Sequence, residues 1–237
     1  MIEIENLTKR YRSTLAVDAL TFTARPGAVT GFLGPNGSGK TTTLAVLAGL
    51  VHPTSGRALI DGRPYADLPD PTRHAGFVLG SVAAQGGRTG VEVLTLGVLS
   101  AGLAKSRIDQ MLDLVGLSRA EARRRVGTYS LGMQQRLAIA HAMIGDPGVL
   151  VLDEPANGLD PHGIVWLRDL LRELAAEGRT VLLSSHVLDE VERIADDVVI
   201  VDGGRLVAAG PLTQFEAAGS LEAAYLALAP DRRHRAA

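Results

Sequence analysis

From Ile2 to Phe22 the apolar positions fall on a period of two: Ile2 and Ile4, then Leu15, Val17, Leu20 and Phe22. That period predicts half-buried antiparallel strands. The pattern then changes. Val29–Leu33 is a continuous apolar run, as a central parallel strand buried on both faces requires. Thr41–Leu50, rich in Leu and Ala, predicts a helix. His52-Pro53-Thr54-Ser55-Gly56 reads as a turn, and Arg57–Ile60 followed by Asp61-Gly62 reads as a strand entering a tight turn. Gly76–Leu79 is a further short apolar strand.

The middle of the chain loses this character. Thr89–Ala104, Arg107–Val115 and Arg119–Val126 predict helices, with turns at Lys105-Ser106 and Gly116-Leu117-Ser118. Met133–Ile144 extends this helical block. Strands return at Val149–Leu152, Val181–Ser184 and Val198–Val201, with helices Pro161–Glu177 and Val187–Ala195 between them. Strand–helix–strand alternation predicts a parallel sheet. Asp202-Gly203-Gly204-Arg205 is a hairpin turn into Leu206–Ala209. The expected fold class is α/β: a mostly parallel sheet, an N-terminal antiparallel β subdomain and an inserted α-helical subdomain. No internal repeat is visible.

Composition narrows the possibilities. At 237 residues the chain makes one large or two small domains, and 46% hydrophobic residues suffice for a sizeable core. A formal net charge of −2 gives no electrostatic footprint for general nucleic-acid binding. The absence of cysteine excludes disulfides and thiolate ligands and is compatible with a reducing compartment. Charges among the first residues leave no signal-peptide pattern. The apolar stretch around Val91–Ala104 is broken by Glu92, Gly97 and Gly102 and is too short to span a bilayer, so a membrane role would come through a partner. Asp231–Ala237 reads as a solvated basic end, with a basic anchor as the alternative.

Three stretches carry chemistry. Residues 34–41, Gly-Pro-Asn-Gly-Ser-Gly-Lys-Thr, fit the pattern G-x-x-x-x-G-K-[ST] between a predicted strand and a predicted helix. Gly34, Pro35, Asn36, Gly37, Ser38 and Gly39 would form a loop whose backbone N–H groups, which Pro35 lacks, wrap a β-phosphate, helped by the first turn of the helix, which includes Thr42. Lys40 would reach the β- and γ-phosphates, and the Thr41 hydroxyl would ligate Mg²⁺. The bland alternative is a glycine-rich turn capped by Ser38. Next, Val149–Leu152 would deliver Asp153 and Glu154 to the C-terminal edge of the sheet, where ligands bind in open α/β folds. Asp153 suits a Mg²⁺ ligand, and Glu154 a general base for an attacking water. Third, Tyr129-Ser130-Leu131-Gly132-Met133-Gln134-Gln135-Arg136 offers an N-cap serine and a glycine N–H at a helix start, a second phosphate site. One nucleotide does not need two such loops, so the second suits the nucleotide of another protomer; ordinary helix capping is its alternative.

In this order the motifs resemble the nucleotide-binding subunit of an ATP-binding cassette (ABC) transporter over about residues 2–215, with the form of residues 129–136 most like multidrug or antibiotic exporter ATPases. Pro155–Asp160 resembles the family's D-loop, and His186, after Ser184-Ser185, its switch histidine. Tyr11 stands where the family places an aromatic that stacks on adenine. The resemblance implies a single ATPase domain with a P-loop NTPase core: about 1–84 and 146–215 form the core with its antiparallel part, about 85–145 the helical subdomain, and 216–237 a C-terminal helix and tail. It implies ATP and Mg²⁺, catalysis by Lys40, Glu154 and His186, metal ligation by Thr41 and Asp153, and Ser130, Gly132 and Asp160 acting at the nucleotide. It implies a head-to-tail dimer with a second ATP-binding subunit, a separate transmembrane permease, no nucleic acid, and a place on the cytoplasmic face of the plasma membrane.

The resemblance breaks most clearly after the strand of residues 76–79. The family usually has a Gln there, where this chain has Gly80; Gln85 is the nearest substitute. Leu131 and Met133 also depart from the commoner signature, as subtype marks. The alternatives are a low-turnover nucleotide sensor, motivated by Gly80, and a soluble ABC protein acting on ribosomes or DNA.

Overall fold

The structure, a computed structural model, describes residues 1–80, 86–216 and 219–228. Two sheets organise it. The smaller has the order β2-β1-β4, with β1 Ile2–Tyr11, β2 Thr14–Ala24 and β4 Ser55–Ile60, all antiparallel. Its register pairs Ile2 with Ala24 and Ile4 with Phe22, so the period-two apolar residues share one buried face.

The larger sheet has the order β5-β6-β7-β3-β8-β9. β3 (Ala28–Leu33), β5 (Ala75–Val78), β6 (Val149–Asp153), β7 (Thr180–Ser185) and β8 (Asp197–Asp202) run parallel, and β9 (Arg205–Pro211) returns antiparallel to β8. All six residues of β3 are buried. Alternate side chains enter two cores: Phe32, Val151, Leu182 and Val199 pack with the small sheet and helix α1 (Lys40–Leu47), while Val29, Leu33, Leu150, Leu152 and Leu183 pack with the other helices. Each such Leu or Val contributes roughly 1.5–3 kcal/mol of burial. This double covering is why the strands read as unbroken apolar runs.

Beyond α2 (Pro71–His74), the helical block comprises α3 (Gly90–Ser100), α4 (Arg107–Val115), α5 (Arg119–Ala122) and α6 (Leu131–Ala142). Thr89 with Glu92, and Ser118 with Glu121, form capping boxes that fix the starts of α3 and α5. The remaining helices are α7 (Pro161–Ala176), α8 (Leu188–Glu192), α9 (Leu212–Glu216) and α10 (Leu221–Leu228).

Two expected helices are cut short by bonds to distant segments. The pattern predicts α5 through Val126, but Arg125 bridges to Thr89 and the Val126 N–H donates to Arg88 O at 2.8 Å. The pattern predicts α8 through Ala195, but Asp196 is drawn to β3, donating to Val29 O and accepting from Val29 N, both at 2.8 Å. Backbone groups already paired elsewhere cannot continue a helix.

Candidate functional site

β3 feeds directly into the glycine-rich loop. A Cβ at Gly34 would lie 2.3 Å from Val201 O, so close backbone approach requires glycine there. Gly39 has φ +98°, and a Cβ on it would lie 2.5 Å from Ala16 O. That conformation lets the chain turn from loop into α1, whose first N–H groups have no helical acceptors and face outward. Gly39, not Ser38, is the N-cap residue. The Ser38 hydroxyl is buried without a hydrogen-bond partner. Lys40 is 6% exposed; its Nζ donates to Gly34 O at 2.6 Å and to Pro35 O at 3.4 Å. Burial lowers the Lys40 pKa, while Glu154 and Asp153 pull it back upward.

β6 ends beside this loop. Asp153 Oδ2 accepts from Thr41 Oγ1 at 3.0 Å, and its Oδ1 accepts a very short bond from Ser184 Oγ. Glu154 has φ +51°, unfavourable for a non-glycine residue, and is held by its N–H donating to Ser184 Oγ at 3.1 Å and Ser184 O at 3.2 Å. Its Oε2 lies 2.8 Å from His186 Nδ1. One network therefore joins Thr41, Asp153, Ser184, Glu154 and His186 at the C-terminal edge of the parallel sheet. The donor set at Thr41 and Asp153 is hydroxyl and carboxylate oxygen, the hard chemistry that Mg²⁺ prefers when phosphates and water complete its shell. Among the described residues no cluster of three or more His, Cys, Asp or Glu could hold a metal by itself.

The second loop opens α6. Ser130 caps α6, its Oγ accepting from Met133 N at 3.2 Å. Gly132 approaches the 156–160 turn: a Cβ on it would meet Gly158 O at 3.3 Å. Leu131 is 67% exposed. Two clefts flank the acids. One, of ≈ 320 Å³, is lined by Gly80, Leu131, Gln134, Gln135, Asp153 and Glu154 among others. The other, of ≈ 260 Å³, is lined by Gly34, Pro35, Asn36, His186, Leu188 and Tyr225.

A match to the family described as ABC transporter covers residues 17–157. The chain belongs to the ABC transporter family. The cassette is similar to the bacitracin transport ATP-binding protein BcrA of Bacillus licheniformis, at 41% identity over 210 residues, 87% of this chain and 68% of that one. It is similar to the Nod factor export ATP-binding protein I of Burkholderia pseudomallei, at 38% identity over 88% of this chain and 70% of that one. Among solved structures it superposes on an ATP-binding subunit of an ABC transporter with TM-score 0.86 and 29% identity, covering 96% of this chain and 99% of that one. It also superposes on a dimeric post-hydrolysis cassette bound to ADP and Pi, with TM-score 0.78 and 25% identity over 89% of this chain and 98% of that one. The cassette is thus an ATP-binding subunit with the fold of that family's ATPases.

Several expected site positions of the cassette have local duties. Asp160 Oδ1 accepts from Gly163 N at 2.7 Å and caps α7. Tyr11 ends β1, 44% exposed, with Lys9 Nζ 4.9 Å from its ring centroid. Gly80 has φ +78°, and a Cβ on it would meet nothing within 4 Å among the described residues. Gln85 and the basic tail lie outside the described residues. Ser184 is the residue that sequence reasoning passed over as a neighbour of His186. Its signal is a polar residue directly after the apolar run Val181–Leu183; its partner emerges only when β7 pairs with β6, aligning Ser184 with Asp153. Among the described residues no helix is long and apolar enough to cross a membrane.

Proposed function

We propose that this subunit hydrolyses ATP to energise an exporter of drug-like or antibiotic compounds, working with a separate transmembrane permease on the cytoplasmic face of the plasma membrane. The carrying observation is the network Thr41–Asp153–Ser184–Glu154–His186 beside the buried Lys40. Gly34, Pro35, Asn36, Gly37, Ser38, Gly39 and Thr42 cradle the phosphates, and Tyr11 stacks on adenine. Lys40 exchanges its bonds with the Gly34 and Pro35 carbonyls for the β- and γ-phosphates. Thr41 and Asp153 hold Mg²⁺, which neutralises charge on the phosphate oxygens when bound. Glu154 orients and deprotonates the attacking water, and His186 contacts the γ-phosphate while steadying Glu154.

Ser130 and Gly132 serve the nucleotide of a second ATP-binding subunit, most simply another copy of this chain, in a head-to-tail sandwich. Asp160 fixes the turn against which that loop packs. On this reading the division of labour is one ATPase domain: a core with the antiparallel sheet, a helical subdomain at about 85–145, and a C-terminal helix. The similar proteins named as transport subunits do not favour a ribosome- or DNA-acting role.

Phosphate release by the purified chain tests the proposal. Glu154→Gln should slow hydrolysis by about 10²–10⁴-fold while leaving ATP bound. Equal rates for the two proteins would refute hydrolysis by this site and favour the nucleotide-sensor alternative.

A further inference from the structure

The ≈ 260 Å³ cleft at the phosphate end of the glycine-rich loop is lined in part by Tyr225 of α10, which belongs to none of the motifs. Its other walls are Gly34, Pro35, Asn36, His186 and Leu188. Lys40 Nζ bonds the Gly34 and Pro35 carbonyls, which marks this end of the loop as the one beside the terminal phosphate. α10 is anchored on one face. Leu221 and Ala224, three apart, are buried, and Tyr225 follows on the same side and is half-buried. The Leu221 N–H donates to Glu192 Oε1 at 3.0 Å, tying the start of α10 to the end of α8. α8 in turn begins two residues after His186.

His186 needs such a wall. Its side chain is 45% exposed and bonds Glu154 Oε2 at 2.8 Å. Apart from that bond, its rotamer is limited by the groups that line its cleft, and losing one of them would raise the entropy cost of ordering the ring. Tyr225 and Leu188 line the same cleft as His186. A tyrosine ring supplies a broad wall with only two side-chain torsions to freeze.

We propose that Tyr225 is a positioning residue for His186 and the Asn36 side of the phosphate loop, so that turnover depends on α10 being docked against α8. This rests on the reading of the chain as an ATP hydrolase with His186 at the γ-phosphate. The residue acts on the geometry of the reacting end of the nucleotide, not on adenine or ribose, so its effect falls on kcat and spares KM.

The test is steady-state hydrolysis by the full chain. Tyr225→Ala should lower kcat roughly tenfold, well inside the hundredfold that misplacement of a reacting group can cost, with KM for ATP changed less than about threefold. Tyr225→Phe, which keeps the ring, should have a kcat above that of Tyr225→Ala. Glu192→Ala, which loosens α10 without touching the cleft, should lower kcat in the same direction. A kcat for Tyr225→Ala within twofold of the unmodified chain overturns the inference alone. If Tyr225→Ala fails to fold, Glu192→Ala decides: loss of kcat supports the inference, and an unchanged kcat overturns it. Absence of turnover in the unmodified chain overturns the functional reading, and this inference with it.

Discussion

Ser184 Oγ donates to Asp153 Oδ1 and accepts from the Glu154 N–H at 3.1 Å, so one hydroxyl holds both acids at the end of β6. The Glu154 backbone sits at φ +51° and needs that restraint. Ser184→Ala removes both bonds, leaving a half-buried Asp153 oxygen without that partner and the Glu154 N–H with the Ser184 carbonyl. A loss of about 1–3 kcal/mol in urea unfolding is expected, together with a lower rate of ATP hydrolysis. An unchanged unfolding midpoint would show that the hydroxyl is dispensable.

The 2.8 Å approach of His186 Nδ1 to Glu154 Oε2 makes the histidine a direct neighbour of the proposed base. His186→Ala should reduce kcat about 10²-fold or more, since Glu154 loses its orienting partner and the phosphate a contact. Nucleotide affinity, read with a fluorescent ATP analogue, should change far less. If affinity falls in step with kcat, His186 serves binding and not the reaction.

Glycines of the phosphate loop differ in what they tolerate. Gly37 and Gly39 both have positive φ, +78° and +98°, but a Cβ meets nothing at Gly37 and lies 2.5 Å from Ala16 O at Gly39. Gly37→Ala should therefore cost about 1–2 kcal/mol of backbone strain. Gly39→Ala adds a steric clash and should cost more, with loss of nucleotide binding. Equal unfolding free energies for the two variants would contradict this ranking.

Glu190 gives a pH dependence. It lines a cleft between α7 and α8 with Ile164, Val165 and Ile194, and also with Asp189, Arg168 and Arg193. Burial raises its pKa above the ordinary 4.5, the nearby Glu154 raises it further, and His186 works the other way. The folded state thus holds this proton more tightly than the unfolded one. Its stabilising contribution is complete below pH 4.5 and is lost as pH rises through the higher folded value. Glu190→Gln should match the unmodified chain in stability at pH 4 and exceed it at pH 7.5. Urea midpoints at the two pH values check this; an advantage only at acid pH would reverse the sign.

Much of the fold was legible because burial on both faces leaves an unbroken apolar run. Val29–Leu33 and Val149–Leu152 stand out for that reason, and the loop at 34–41 lies where the first of them ends. What could not be read is long-range. The capture of Val126 by Arg88 and of Asp196 by Val29 shortened two helices whose local pattern ran on. The Ser184–Asp153 link exists because β7 lies beside β6, and Tyr225 reaches the cleft because α10 packs on α8. None of these is a spacing along the chain. Short elements such as α2 and α9 hold too few residues for periodicity to register.

Gly80 stands where the resemblance leads to the expectation of a glutamine, and it offers a gain-of-function test. It lines the cleft that also holds Asp153 and Glu154, and among the described residues the space where a side chain would begin is open for 4 Å. A longer amide side chain is therefore admitted sterically, at about 1–2 kcal/mol of backbone strain for a non-glycine residue at φ +78°. Gly80→Gln supplies an amide that orients water beside Glu154, so basal hydrolysis should rise severalfold, short of the 10²–10⁴-fold of a complete acid–base catalyst. Gly80→Ala bears the same strain without the amide and should leave hydrolysis unchanged or lower. Equal rates for the two variants would mean that water is already ordered by Glu154 and His186 alone, and that the glycine does not limit turnover.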